Sequence, residues 1–222
     1  MLTLFPEMFP GPLGQSLAGK GLASGRWTLD THDIRAHASD KHRSVDDTPA
    51  GGGPGMVLRA DILAAAIDAA SPQDDDRPRW LMSPRGKPFD QGAAQEIANG
   101  SGIVLVAGRF EGIDERVIEA RNLVEISVGD YVLSGGEIAA MAVLDAAVRL
   151  LPGVMGNPAS AETESFRGNL LEYPHYTRPT VFEGRAIPDV LLSGNHEEIA
   201  KWRRQQSLQV TRSRRLDLFD KN

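Results

Sequence analysis

The sequence predicts an α/β domain built on a parallel sheet, followed by a small, mainly helical C-terminal domain. Three observations predict this. Short apolar or β-rich runs alternate with helix-like segments between residues 80 and 151, the order that a parallel sheet with crossover helices requires. Residues 156–172 (GNPASAETESFRGNLLE) are small, polar and weakly periodic, as a linker or an active-site loop would be. Beyond them the charge balance reverses, from 15 Lys+Arg against 24 Asp+Glu up to residue 172 to 9 against 6 from residue 173 onward. The expected division is therefore a catalytic-size domain over residues 1–155, a linker over 156–172 and a basic domain over 173–222.

Residues 2–5 read as an opening strand, and residues 58–70 as a helix whose buried stripe is Leu58, Ile62, Ala66 and Ala70. Residues 80–82, 103–107 and 123–126 read as buried parallel strands, each close to Gly, Pro or Ser. Helices over 91–98 and 114–121 lie between them. A longer helix, 137–151, carries Ile138, Met141, Leu144 and Val148 and stops at Pro152 and Gly153. Asn195, followed three residues later by Glu198, caps a helix running to about Ser207, with Ile199 and Trp202 facing inward. Trp27, Trp80 and Trp202 read as packing residues.

Composition narrows the chemistry. The 222 residues are 41% hydrophobic and 24% charged, the balance of a soluble globular chain. No apolar run approaches a membrane span and no signal-peptide pattern opens the chain, so a cytoplasmic location without membrane attachment is expected. The absence of cysteine excludes disulfides, thiolate metal sites and thiol nucleophiles. The net charge of −6 hides a run from Lys201 to Arg215 with six positive residues and no acid, which is either a solvated helix face or a patch for a phosphate backbone. His32, His37 and His42 lack strong ligand spacing, so no metal site is expected there.

Three glycine-rich stretches stand out. Residues 51–56 (GGGPGM) lack the Gly-Lys-Ser/Thr ending of a triphosphate loop. Residues 108–116 (GRFEGIDER) follow the strand at 103–107, and residues 128–137 (VGDYVLSGGE) follow the strand at 123–126. Ligands of parallel α/β proteins sit at the carboxyl ends of strands, so two such loops on neighbouring strands predict one pocket.

The segments LTLFPEMF, HRSVDDTPAGGGPGM, SPRG, GRFEGIDERV, SVGDYVLSGGE, RLLPGVMG, PHYTRP and LLSGNHEEI occur in this order over nearly the whole chain. In them the sequence closely resembles the bacterial tRNA (guanine-N1)-methyltransferases that modify position 37. The resemblance implies a SPOUT-class α/β domain with a deep trefoil knot, a homodimer with donor pockets near the interface, and a C-terminal domain that grips tRNA. It also implies S-adenosylmethionine contacts at Met82 and Pro84, at Gly108 and Glu111, at Val128, Gly129, Asp130, Tyr131, Val132 and Leu133, and nearby at Gly135 and Gly136.

Guanine N1 is a poor nucleophile until its proton leaves, and negative charge then develops on O6, so a base and a cation serve the reaction. By the resemblance, Arg149 holds O6 and Asp46 serves the guanine edge. The family's base is an aspartate shortly before Ser-Phe; this chain has Glu164 at that position, with Glu162 as the substitute. Phe110 where tyrosine is common, and Ala50 before the triple glycine, are smaller departures. Magnesium assistance is left open. The rival readings are a knotted methyltransferase acting on a ribose 2′-hydroxyl and a catalytically silent RNA-binding dimer.

Overall fold

Trp80, Leu81 and Met82 are all buried, and they alternate between two separate apolar clusters. Successive side chains of a strand point to opposite faces, so the strand carrying them is covered on both sides. Val104 and Val106 join one cluster while Leu105 and Ala107 join the other, repeating the pattern on a second strand. The architecture was obtained as a computed structural model, which describes residues 1–72, 74–156 and 164–219. The chain divides into two compact units, Met1–Gly156 and Asn157–Asn222.

In the first unit the elements are β1 (Leu2–Thr3), α1 (Ser16–Ala23), β2 (His32–Asp33), β3 (Asp46–Asp47), β4 (Val57–Leu58) and α2 (Ala60–Ala70). They continue as β5 (Arg79–Pro88), α3 (Gln91–Asn99), β6 (Val104–Ala107), α4 (Glu115–Ala120), β7 (Val124–Ser127) and α5 (Glu137–Val148). Five strands form one sheet in the order β2-β1-β6-β5-β7, with every pairing parallel. The α/β class and the parallel sheet expected from the sequence are thus present. Ile62, Leu63, Ala66 and Ile67 of α2 and Val117 and Ile118 of α4 fill the cluster on one face. Ala139, Ala140, Val143, Leu144 and Val148 of α5 fill the other, with Trp27 and Trp80.

One boundary differs in a way that bears on the site. Leu58 is not the first residue of the helical stripe; it ends β4, in antiparallel register with Asp46, and is fully buried. Its four-residue spacing from Ile62 reflects burial in the same cluster rather than one continuous helix.

The second unit has a hairpin, β8 (Val181–Phe182) and β9 (Arg185–Ala186), then α6 (Asp189–Leu192) and α7 (His196–Arg214). Asn195 caps α7 as expected, its side chain accepting from the backbone N–H groups of Glu197 and Glu198 at 3.2 and 3.3 Å. The helix continues well past Ser207, because its inward row uses polar residues that are satisfied internally. The Thr211 hydroxyl donates to the Ser207 carbonyl at 2.7 Å and accepts from Leu171 N at 2.8 Å. Trp202 is half-buried, 6.2 Å from the Tyr176 ring. Among the described residues no helix is long and apolar enough to cross a membrane.

Candidate active site

β5, β6 and β7 run side by side, and Met82 lies level with both Ala107 and Ile126. The three strands therefore deliver their following loops to the same end of the sheet. The chain from Ser83 to Gly86 bulges out, since Met82 and Lys87 both face Ile126. These loops enclose a cavity of about 330 Å³. Met82 and Pro84 line it from β5, and Gly108 and Glu111 from the loop after β6. Val128, Gly129, Tyr131, Val132, Leu133, Gly135 and Gly136 line it from the loop after β7. Asp130 is exposed and is not among the lining residues.

Hydrogen bonds fix each loop. The Ser83 hydroxyl donates to Glu125 at 2.7 Å, and Arg85 Nη2 reaches Glu115 at 3.1 Å and Glu125 at 3.0 Å. Those hydrogen bonds, Glu115 first, raise the Arg85 pKa further above its ordinary value. Asp114 caps α4 by accepting from Arg116 N at 3.0 Å, and its hydrogen bond with the Arg116 side chain holds its carboxyl below the usual range. In the third loop the Ser127 hydroxyl donates to Gly129 O at 3.1 Å and accepts from Gly129 N at 3.2 Å.

The GGGPGM stretch meets this pocket through its own backbone. Glu111 N donates to Met56 O at 2.9 Å and Leu58 N to Gly112 O at 3.0 Å. Gly55 has φ +82°, and a Cβ there would collide with the Glu111 side chain, so glycine meets both a conformational and a space requirement.

Gly136 is as tightly constrained from a different side. Its N–H donates to Gly108 O at 2.9 Å, and a Cβ would fall 2.8 Å from Ala107 Cα and 3.0 Å from Gly108 N. Backbone cannot yield as a side chain can, so Gly136→Ala is expected to destabilise the fold by about 1–3 kcal/mol. The check is the midpoint of thermal unfolding, which should fall by several degrees.

The acceptor-side candidates are placed differently. Asp46 is half-buried on β3, opposite Leu58, and does not line the cavity. Arg149 is the C-cap of α5, while the cavity touches that helix at Gly136 and Ala139, its opposite end. The 12 residues of α5 span about 18 Å at 1.5 Å per residue. Glu164 belongs to the second unit, where it shares a cavity of about 280 Å³ with Arg167, Tyr173, Arg203 and Arg204. Glu162 lies outside the described residues. Among the described residues no group of three His, Asp or Glu side chains could hold a metal ion, so no residue set for magnesium is identified. A second cavity, of about 340 Å³, lies at the amino ends of β1 and β6 beside Trp27 and Arg77, and none of the candidate residues lines it.

Sequence reasoning did not single out Ser83, Arg85, Arg109, Glu125 or Glu137. Their roles depend on bonds between segments 28 to 42 residues apart, which no local pattern records. Ser83, Arg85, Arg109 and Glu137 carried a signal nonetheless, since each stands within a quoted motif.

Three parallel strands ending on one glycine-lined cavity make the first unit a ligand-binding α/β domain. A family-wide profile described as tRNA (Guanine-1)-methyltransferase TrmD matches residues 1–221. Relatives named tRNA (guanine-N(1)-)-methyltransferase include one from Chelativorans sp. (strain BNC1), 65% identical over 99% of this chain and 93% of its own. Another, from Rhodopseudomonas palustris (strain BisB18), is 66% identical over 99% of this chain and 87% of its own. A third, from Mesorhizobium japonicum, is 65% identical over 99% and 94%. The chain belongs to the tRNA (guanine-N1)-methyltransferase family, whose chemistry is methyl transfer to N1 of a guanine in tRNA.

Proposed function

We propose that the cavity at the ends of β5, β6 and β7 binds S-adenosylmethionine, and that the acceptor is N1 of guanine 37. The observation carrying this reading is that every proposed donor contact except Asp130 lines that one cavity. The residues fit a cationic, partly apolar ligand. Leu81, Ile113 and Leu133 offer apolar surface, Glu111 offers a carboxylate, and the glycine-rich loops offer backbone donors and acceptors; the two lining arginines, Arg85 and Arg109, are paired with Glu125 and Glu137. Once bound, the sulfonium supplies an activated methyl group.

The protein's own groups act on the base. In this reading Glu164 takes the N1 proton, Arg149 balances charge on O6, and Asp46 accepts N–H donors of the guanine edge. Arg149 sits a helix length from the cavity of its own chain, which supports a homodimer in which Arg149 of the partner subunit completes the site. Val132 at 85% exposure and Ile138 at 56% supply apolar surface for such an interface. A SPOUT-type trefoil knot in the first unit, and a cytoplasmic location where tRNA is found, belong to the same reading. Lys201, Arg203, Arg204, Arg212 and Arg214 are exposed on α7 and suit a phosphate backbone.

The test is transfer of labelled methyl from S-adenosylmethionine to a tRNA carrying guanine at 37, beside the same tRNA with adenine there. Labelling confined to the first, recovered as N1-methylguanosine, is the expected result. Equal labelling of both, or label on a ribose, would overturn the assignment.

A further inference from the structure

Glu137 opens α5 with only 1% of its surface exposed, although it is a carboxylate. Burying a carboxylate is costly without close partners, and two segments supply them. The Thr3 hydroxyl on β1 donates to Oε1 at 2.8 Å, Arg109 Nε donates to the same oxygen at 3.2 Å, and Arg109 Nη2 lies 3.0 Å from Oε2. Arg109 also reaches beyond this pair. Its Nη1 donates to Ser134 O at 3.1 Å, and its guanidinium lies 4.5 Å over the Phe5 ring.

The connectivity matters more than the pair itself. Arg109 belongs to the loop after β6 and Ser134 to the loop after β7, the two walls of the proposed donor cavity. Gly135 leaves the space that the guanidinium crosses, since a Cβ there would collide with Arg109 Nε. Among the described residues one direct backbone bond, Gly136 N to Gly108 O, joins these same loops.

We infer that the Arg109–Glu137 pair is a positioning device: it sets the separation of the two glycine-bracketed loops, and donor affinity depends on it through that separation. Glu137 anchors the guanidinium from below, and the guanidinium holds the Ser134 carbonyl in place. Neither residue needs to touch the methyl being transferred. The inference rests on the reading of this cavity as the S-adenosylmethionine site.

Removing one partner alone would leave a buried charge, so the informative variant replaces both, as Arg109→Met with Glu137→Leu. Two well-packed apolar side chains can replace a buried ion pair without loss of stability, but they cannot bond Ser134 O. The measurements are S-adenosylmethionine affinity by calorimetry, the thermal midpoint, and KM and kcat. The expected result is a folded double variant whose donor affinity falls at least about tenfold and whose donor KM rises more than its kcat falls. Arg109→Lys keeps the charge balance but cannot serve Glu137 and Ser134 together, and it should weaken donor binding several-fold with its melting behaviour kept. It decides the matter if the double variant does not fold. Unchanged donor affinity in a folded variant would overturn the inference, whereas failure of the unaltered protein to bind S-adenosylmethionine would overturn the reading beneath it.

Discussion

Arg149→Ala is expected to lower methyl transfer by about 10² to 10³, the range for losing one cationic or hydrogen-bonding stabiliser of a developing oxyanion, while donor affinity stays unchanged. The second half follows from geometry: Arg149 caps the end of α5 that the proposed donor cavity does not touch. Leu133→Arg puts a long cation into the cavity wall and should abolish donor binding while leaving Arg149 intact. Subunits of the two inactive variants, unfolded and refolded together, should recover about a quarter of normal activity. In the proposed homodimer half the pairs are then mixed, and a two-fold interface gives each mixed pair one complete site of two. Activity no greater than that of the separate preparations would place Arg149 in its own chain's site or outside the reaction. Full activity of Arg149→Ala alone would remove it from the mechanism.

What the sequence made legible follows from which interactions are local. The strands now numbered β5, β6 and β7 were readable because strands buried on both faces are continuous apolar runs, and the glycines after them mark where the backbone turns. Local pattern alone placed the loops at 108–116 and 128–137 beside one pocket, and the structure brings them to one cavity. β2, β3 and β4 are two residues long, too short for any period to register, so the sequence pattern alone places Leu58 in the helix that follows it. The end of α7 was missed because the buried positions Ser207 and Thr211 are polar, and their burial is compensated by a bond from another segment. The role of the buried Glu137 was hidden for the same reason, although the residue closes a quoted glycine motif. Its partners lie 28 and 134 residues away, and a lone Glu at a helix start otherwise reads as favourable to the helix dipole.

Glu164→Gln is expected to cost at least about tenfold, and up to about a hundredfold, in single-turnover methyl transfer, with S-adenosylmethionine affinity unchanged. Gln keeps the length and polarity of the side chain but cannot accept the N1 proton, so the loss reports basicity rather than shape. Its place in the second unit sharpens the test. Glu164 shares a cavity with Arg167, Arg203 and Arg204, cations of the kind that a tRNA backbone would approach, so a purely structural or tRNA-contacting role would appear as weaker tRNA binding. A base would instead appear in the chemical step at saturating tRNA. Glu164→Asp provides the counterpart. Aspartate, the residue that the resemblance implies at this position, has the same chemistry with one methylene fewer, so that variant should retain activity to within a few-fold. Glu162 is separated from Glu164 by a single residue, and Glu162→Gln should leave the rate within about twofold under the same logic of a single proton acceptor. A normal rate in Glu164→Gln together with a collapse in Glu162→Gln would transfer the role to Glu162.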